Sequence, residues 1–231
     1  MKRVWMIGLL SLMLAKFGVG AETRELVLFP FNLEGGVTAT EDFNVGAEVL
    51  NALYAQVKDV PNLYVFRYRE TNPSVRRAVE ENRLRRDRLT PPFNVREPDG
   101  TWRSARIAQI MDSDFALAGS IAEFRFNPET REAVITLSVD LVQASDGAVL
   151  ASLAETGRGR LGSDEQDVNL AYIRAISEAT EKVGAALRER LAPPQEEAAP
   201  EPDRRRNRGR DRAAVTLFTL LVGVGLRLFG F

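Results

Sequence analysis

The stretch SDFALAGSIAEFRFNPETREAVITLSVDLVQASDGAVLASLAET, residues 113–156, decides how this chain folds. It contains three apolar runs, 115–126, 132–144 and 148–156, separated by NPET and SDG, both built from residues that favour turns. The middle run alternates, with Ala133, Ile135, Leu137, Val139 and Leu141 on one face and Thr136, Ser138 and Asp140 on the other. Three strands joined by tight turns predict an antiparallel meander. Asp112 and Asp114 stand just before it and Ser120 lies inside it, so the same stretch poses a chemical question: a carboxylate pair opening onto a nucleophile, or a helix-to-strand junction.

Residues 26–31 (LVLFPF), ahead of Gly35-Gly36, read as a buried first strand. Thr40 is a candidate cap for a helix over 41–60, whose stripe is Phe43, Ala47, Leu50, Leu53, Tyr54 and Val57. Residues 63–68 (LYVFRY) form a second strand. A charged, helical insertion over 67–106 follows, with Val75, Val79 and Leu84 as its sparse apolar side and Pro91-Pro92 as its stop. A short helix over 102–111 turns Ile107, Ile110 and Met111 inward. After the meander, Ser163 and Gln166 have the spacing of a capping box for a helix carrying Leu170, Ile173, Ile176, Ala179, Val183, Ala186, Leu187 and Leu191. The fold class expected is α/β (α+β): a mixed β-sheet with an antiparallel meander in its C-terminal half, flanked by amphipathic helices.

The ends differ in character. Met1, Lys2 and Arg3, an apolar run over 4–15 and the small residues of Val19-Gly20-Ala21 make residues 1–21 a signal peptide, cleaved before Glu22; an uncleaved N-terminal anchor is the alternative. The globular domain spans 22–192. Residues 193–212 are a disordered linker rich in proline, charge and arginine. Residues 213–231 (AAVTLFTLLVGVGLRLFGF) are about long enough to cross the roughly 30 Å hydrocarbon core, and we expect a membrane anchor there, with Arg227 reaching the interface. An apolar tail packed on protein is the other reading.

Composition restricts the chemistry. There is no cysteine, so neither disulfides nor a lipidated cysteine is possible. The absence of histidine removes the commonest general base and the usual triads. With 31 basic and 32 acidic side chains the formal charge is −1, which gives no field to steer nucleic acid. Gly157, Gly159 and Gly162 have the spacing of a dinucleotide fingerprint, but no further parallel strand follows, so a loop using glycine for positive φ is expected. The arginines over 83–88 alternate with Glu80, Glu81 and Asp87 and read as a solvated helix face. Acids at a helix-to-strand junction usually turn or cap the backbone, and Ser120 has no base near it in sequence; Lys58 and Lys182 lie in distant helices. No catalytic residue, cofactor site or metal site is expected.

LVLFPF, AQIMDSDFALAGSIAEF, VDLVQASDGAVLASLAETGRG and AISEATEKVGAALRERL together resemble the CsgG-like family over residues 24–191. That family includes the curli secretion channel subunit and envelope lipoproteins that activate peptidoglycan synthases or help export polysaccharide; the N-terminal domain of TolB has a related architecture. The resemblance implies an acid at the helix-to-strand junction and Gly119-Ser120 where strands pack closely. It also implies an exported, periplasmic, membrane-associated protein, non-enzymatic, that assists assembly or secretion through a homo-oligomer and a second envelope protein. Two alternatives accompany it: a subunit of an outer-membrane secretion pore, and an envelope enzyme using the aspartate pair. Two departures qualify it. The usual lipidated cysteine is missing, and the insertion over 67–106 is too charged to face lipid.

Overall fold

The computed structural model describes residues 23–35 and 43–192. The signal peptide, Thr40, the linker and the apolar tail lie outside the described residues.

The fold is a mixed α/β one. β1 (Arg24–Leu28), β2 (Asn32–Leu33), β3 (Leu63–Arg67), β4 (Phe115–Asn127), β5 (Glu132–Gln143) and β6 (Val149–Arg160) form one sheet in the order β3-β1-β4-β5-β6, with β2 paired to β4. β1 runs parallel to β3 and β4, whereas β4, β5 and β6 are the antiparallel meander. Pro30, which has no N–H to give, separates β1 from β2. Phe29 still donates to Leu117 at 2.9 Å, so the two strands lie end to end along β4. The turns use the side chains expected of them: Asn127 accepts from Glu129 N–H at 2.9 Å, and Asp146 from Ala148 N–H at 2.9 Å.

Helices α1 (Val45–Val57) and α4 (Val168–Leu191) cover one face of the sheet. There Leu26, Leu28, Val65, Leu117 and the whole alternating row of β5, from Ala133 to Leu141, are buried. The opposite face is covered over β1 and the start of β4 by α2 (Pro73–Glu80), α3 (Arg103–Ile110) and the segment between them. Phe29, Tyr68 and Phe93 meet there with ring centroids 4.8–5.0 Å apart.

Several local expectations are corrected. α1 is capped by Asn44, whose side chain accepts from Ala47 N–H, and it buries Val45, Val49, Leu53 and Val57; Leu50 and Tyr54 only flank the core. The insertion is not one helix. α2 stops at Glu80, Asn82 takes a left-handed conformation at φ 56°, and only a short 3-10 turn, Arg86–Arg88, follows. What organises this region is the buried carboxylate of Glu97, held by Arg88 at 2.7 Å and Arg103 at 2.8 Å.

The largest correction concerns GRGRLG. Gly157 and Gly159 are not in a loop; they continue β6 on the face that packs against α4. A Cβ on Gly157 would lie 2.6 Å from Ala179 N and closer still to Ala175 O, and one on Gly159 would lie 2.6 Å from Ala175 N. Strand and helix backbones therefore touch, and the helix presents Ala171, Ala175 and Ala179 to the contact. Ile176, Ala179, Val183, Leu187 and Leu191 of the expected stripe are buried, whereas at its start Leu170 and Ile173 are left exposed, Ile173 at 49%. The helix begins after Asp167, which accepts from Asn169 N–H, instead of at Ser163. Glu165 accepts from Gly162 N–H at 2.6 Å and pairs with Arg174.

Candidate functional site

At the junction of α3 and β4 the chain reverses through Asp112, at φ 59°, a conformation that aspartate tolerates better than most residues. Asp114 is then tied to β1 twice. Its carboxylate accepts from Glu25 N–H at 2.7 Å, and its N–H donates to Glu25 O at 3.0 Å. Its own carbonyl accepts from Ala144 N–H at 2.8 Å. One residue thus fixes β1, β4 and the end of β5 at the same level. Gln109 of α3 closes the other side by donating to the carbonyls of Ala144 and Ser145.

A cleft of about 370 Å³ opens between these groups, lined by Gln109, Asp112, Asp114, Phe115, Gln143 and Ser145. Asp114 spends one carboxylate oxygen on a backbone amide, and both acids are exposed. Ser120 lies elsewhere, buried within the sheet, where its hydroxyl donates to Glu34. The structure does not bring Ser120 to the acids. Gly119 beside it makes room for the ring of Phe31, since a Cβ there would lie 2.5 Å from Phe31 Cε1. Among the described residues no group of three or more His, Cys, Asp or Glu side chains is placed to hold a metal ion.

Five of the eleven arginines of the insertion are paired locally, among them three of the run over 83–88. Arg83 pairs with Glu81 at 2.8 Å, Arg85 with Asp87 at 2.9 Å, and Arg88 with Glu97. No helix among the described residues is long and apolar enough to cross a membrane.

Among the described residues, other open features are a groove and two sheet edges. The groove, about 360 Å³, runs between α1 and α4 and is lined by Glu48, Ala52, Gln56, Ile173, Ile176 and Thr180. β6 is one edge of the sheet and β3 the other. The C-terminal half of β6 is shut by α4: Lys182 donates to Thr156 O at 2.7 Å, Glu178 accepts from Arg158 N–H at 2.9 Å, and Arg174 donates to Arg160 O at 2.7 Å. Arg174, Glu178 and Lys182 recur every fourth residue, which aligns them along one side of the helix. Sequence reasoning passed over this row because its partners are backbone groups. The GxG spacing at Gly157 and Gly159 was the available sign that helix and strand come close enough for it.

No family model matches the chain, and no curated protein matches it. Solved structures do. A hypothetical protein from Chlamydia trachomatis is 10% identical, with a TM-score of 0.47, covering 73% of this chain and 98% of that one. A PelC dodecamer from Paraburkholderia phytofirmans is 14% identical, with a TM-score of 0.41, over 74% of this chain and 90% of that one. Lipoprotein GNA1162 from Neisseria meningitidis is 18% identical, with a TM-score of 0.39, over 72% of this chain and 96% of that one. These are likenesses of chain trace and carry neither activity nor partner over to this chain; the curli channel named by the sequence resemblance gains no support from them.

Proposed function

We propose that this chain is a non-enzymatic accessory protein of the cell envelope, exported and membrane-associated, that works by associating with itself and with a second envelope protein. The observation that carries this reading is the use made of Asp114. The acid best placed for chemistry is bonded to the backbone of the neighbouring strand, where it holds β1 against β4. Among the described residues, peptide groups stay open along β3 and the first half of β6, and peptide edges bind protein. The sequence resemblance to the CsgG-like family supports the envelope setting. No cofactor and no nucleic acid enters the proposal.

The experiment is the double substitution Asp112→Asn, Asp114→Asn in the full-length chain, with melting temperature and complementation of a deletion strain measured together. The expected result is a lower melting temperature with function retained wherever the protein folds. Unchanged melting with complete loss of function would make the acids chemical instead of structural. Mass measurement of the purified full-length chain tests self-association directly.

A further inference from the structure

We infer that copies of this chain join head to tail by continuing the sheet, with the open half of β6 in one copy taking β3 of the next as a parallel neighbour, residues 151–155 against 63–67. The inference rests on the self-association proposed above and names the surface that performs it.

Strand direction comes first. β3 is parallel to β1, β1 to β4, and β6 returns to the direction of β4 after two antiparallel steps. The two edges of the sheet therefore run the same way. A second copy set beside the first without inversion meets it as a parallel pair, which is a head-to-tail interface that generates a ring or a filament.

Hydrogen-bonding phase comes second. Arg24 N–H donates to Asn62 O and Tyr68 N–H to Leu28 O. By strand alternation, Tyr64 and Phe66 then direct their backbone groups toward β1, and Val65 and Arg67 direct theirs outward. Leu63 adds an outward carbonyl, its N–H being bonded to Val60 O at 3.3 Å. Just past β6, Leu161 N–H donates to Arg131 O, so the outward groups are those of the even-numbered residues, and of these Thr156 O, Arg158 N–H and Arg160 O meet the side chains of α4. Among the described residues, the groups open on the uncapped half of β6 are both of Ser152, both of Ala154 and the N–H of Thr156. This half of β6 thus offers three donors and two acceptors, and β3 offers three acceptors and two donors. With Val65 opposite Leu153, every one of these groups finds a partner.

Side chains agree with that register. Leu63 and Val65 lie on the α1/α4 face with Ala151 and Leu153, giving apolar pairs, and on the same face Arg67 meets Glu155. Among the described residues neither Arg67 nor Glu155 has an ion-pair partner; Arg67 only stacks on Tyr54, 4.7 Å from the ring centroid. On the other face Tyr64, 58% exposed, lies opposite the small Ser152. Shifting the register by two residues one way sets Val65 against Glu155 and runs into the half capped by α4. The other way runs into the irregularity between Val149 and Ala151 and parts Arg67 from Glu155. A foreign strand could use either edge alone; donor count, face and charge match here because the two edges belong to one chain.

The chain has no cysteine, so the test is clean. Full-length Tyr64→Cys/Ser152→Cys, treated with a short bismaleimide, should give a ladder of dimers, trimers and higher species on denaturing gels. Each single-cysteine variant should stop at dimers. Tyr64→Cys/Arg160→Cys, with its second cysteine in the capped half and roughly 26 Å along the strand from the position opposite 64, should give no such ladder. Separately, Arg67→Glu should weaken assembly about tenfold or more, and adding Glu155→Arg should restore it. An oligomeric native mass with no 64–152 ladder overturns the strand pairing and leaves self-association standing. A monomeric native mass at working concentration overturns both. Assembly insensitive to Arg67→Glu overturns the register.

Discussion

Replacing Gly157 with alanine adds one methyl group where the backbones of β6 and α4 are in contact. The new Cβ would sit 2.6 Å from Ala179 N and 3.0 Å from Ala179 Cβ, and closer still to the carbonyl of Ala175. Ordinary contact begins near 3.4 Å, so the helix and strand must part by roughly 1 Å. The opposing atoms are helix backbone, which cannot move one at a time. Overpacking of this kind costs about 3 kcal/mol, the upper part of the usual range, because no flexible side chain can yield. For a domain of this size that lowers Tm by about 6–12 °C. Calorimetry or thermal circular dichroism of the purified variant measures it. Gly162→Ala is the control: its Cβ would meet the Glu165 carboxylate at 3.4 Å, so stability should stay within about 0.5 kcal/mol. Lifting α4 also draws Lys182 from Thr156 O and Glu178 from Arg158 N–H, so hydrogen exchange at the Arg158 amide should accelerate. A Gly157→Ala protein melting at the wild-type temperature would refute the close-packing argument.

Glu97→Ala leaves Arg88 and Arg103 facing a buried vacancy and should destabilise by about 3 kcal/mol, read by chemical denaturation; a loss below about 1 kcal/mol would mean that the ion cluster does not organise the insertion. The hydrogen bond from Arg174, followed by that from Gly162 N–H, lowers the Glu165 carboxyl to about 2, so its stabilising contribution is present above its ordinary value of 4.5 and lost as pH falls through about 2. Arg174→Ala should return the carboxyl toward 4.5 in an NMR titration, and an unmoved titration would discount the pair. Truncation after Arg212 tests the tail: the full-length chain should stay with membranes under alkaline carbonate washing and the truncated one should become soluble, whereas equal partition would remove residues 213–231 as the anchor.

What the sequence determined by itself was whatever repeats with a local period. The alternation from Ala133 to Leu141 placed β5 and its buried face, and Asn127, Asp146 and Gly147 placed the turns, because a strand's two-residue period and a turn's side-chain bonds are written in neighbouring residues. The junction role of Asp114 was legible in kind, although its partner Glu25 lies far away in sequence. Tertiary structure decided what depends on which surfaces meet. Apolar spacing marked Leu170 and Ile173 as core, but two glycines on β6 drew the alanine side of α4 inward and left those residues in water. The same approach set Arg174, Glu178 and Lys182 against the edge of β6, closing one half of it and leaving the other open. Charge and helical period could not show this, since those three side chains bond to backbone groups, and which backbone groups are free is fixed only when the strands have paired.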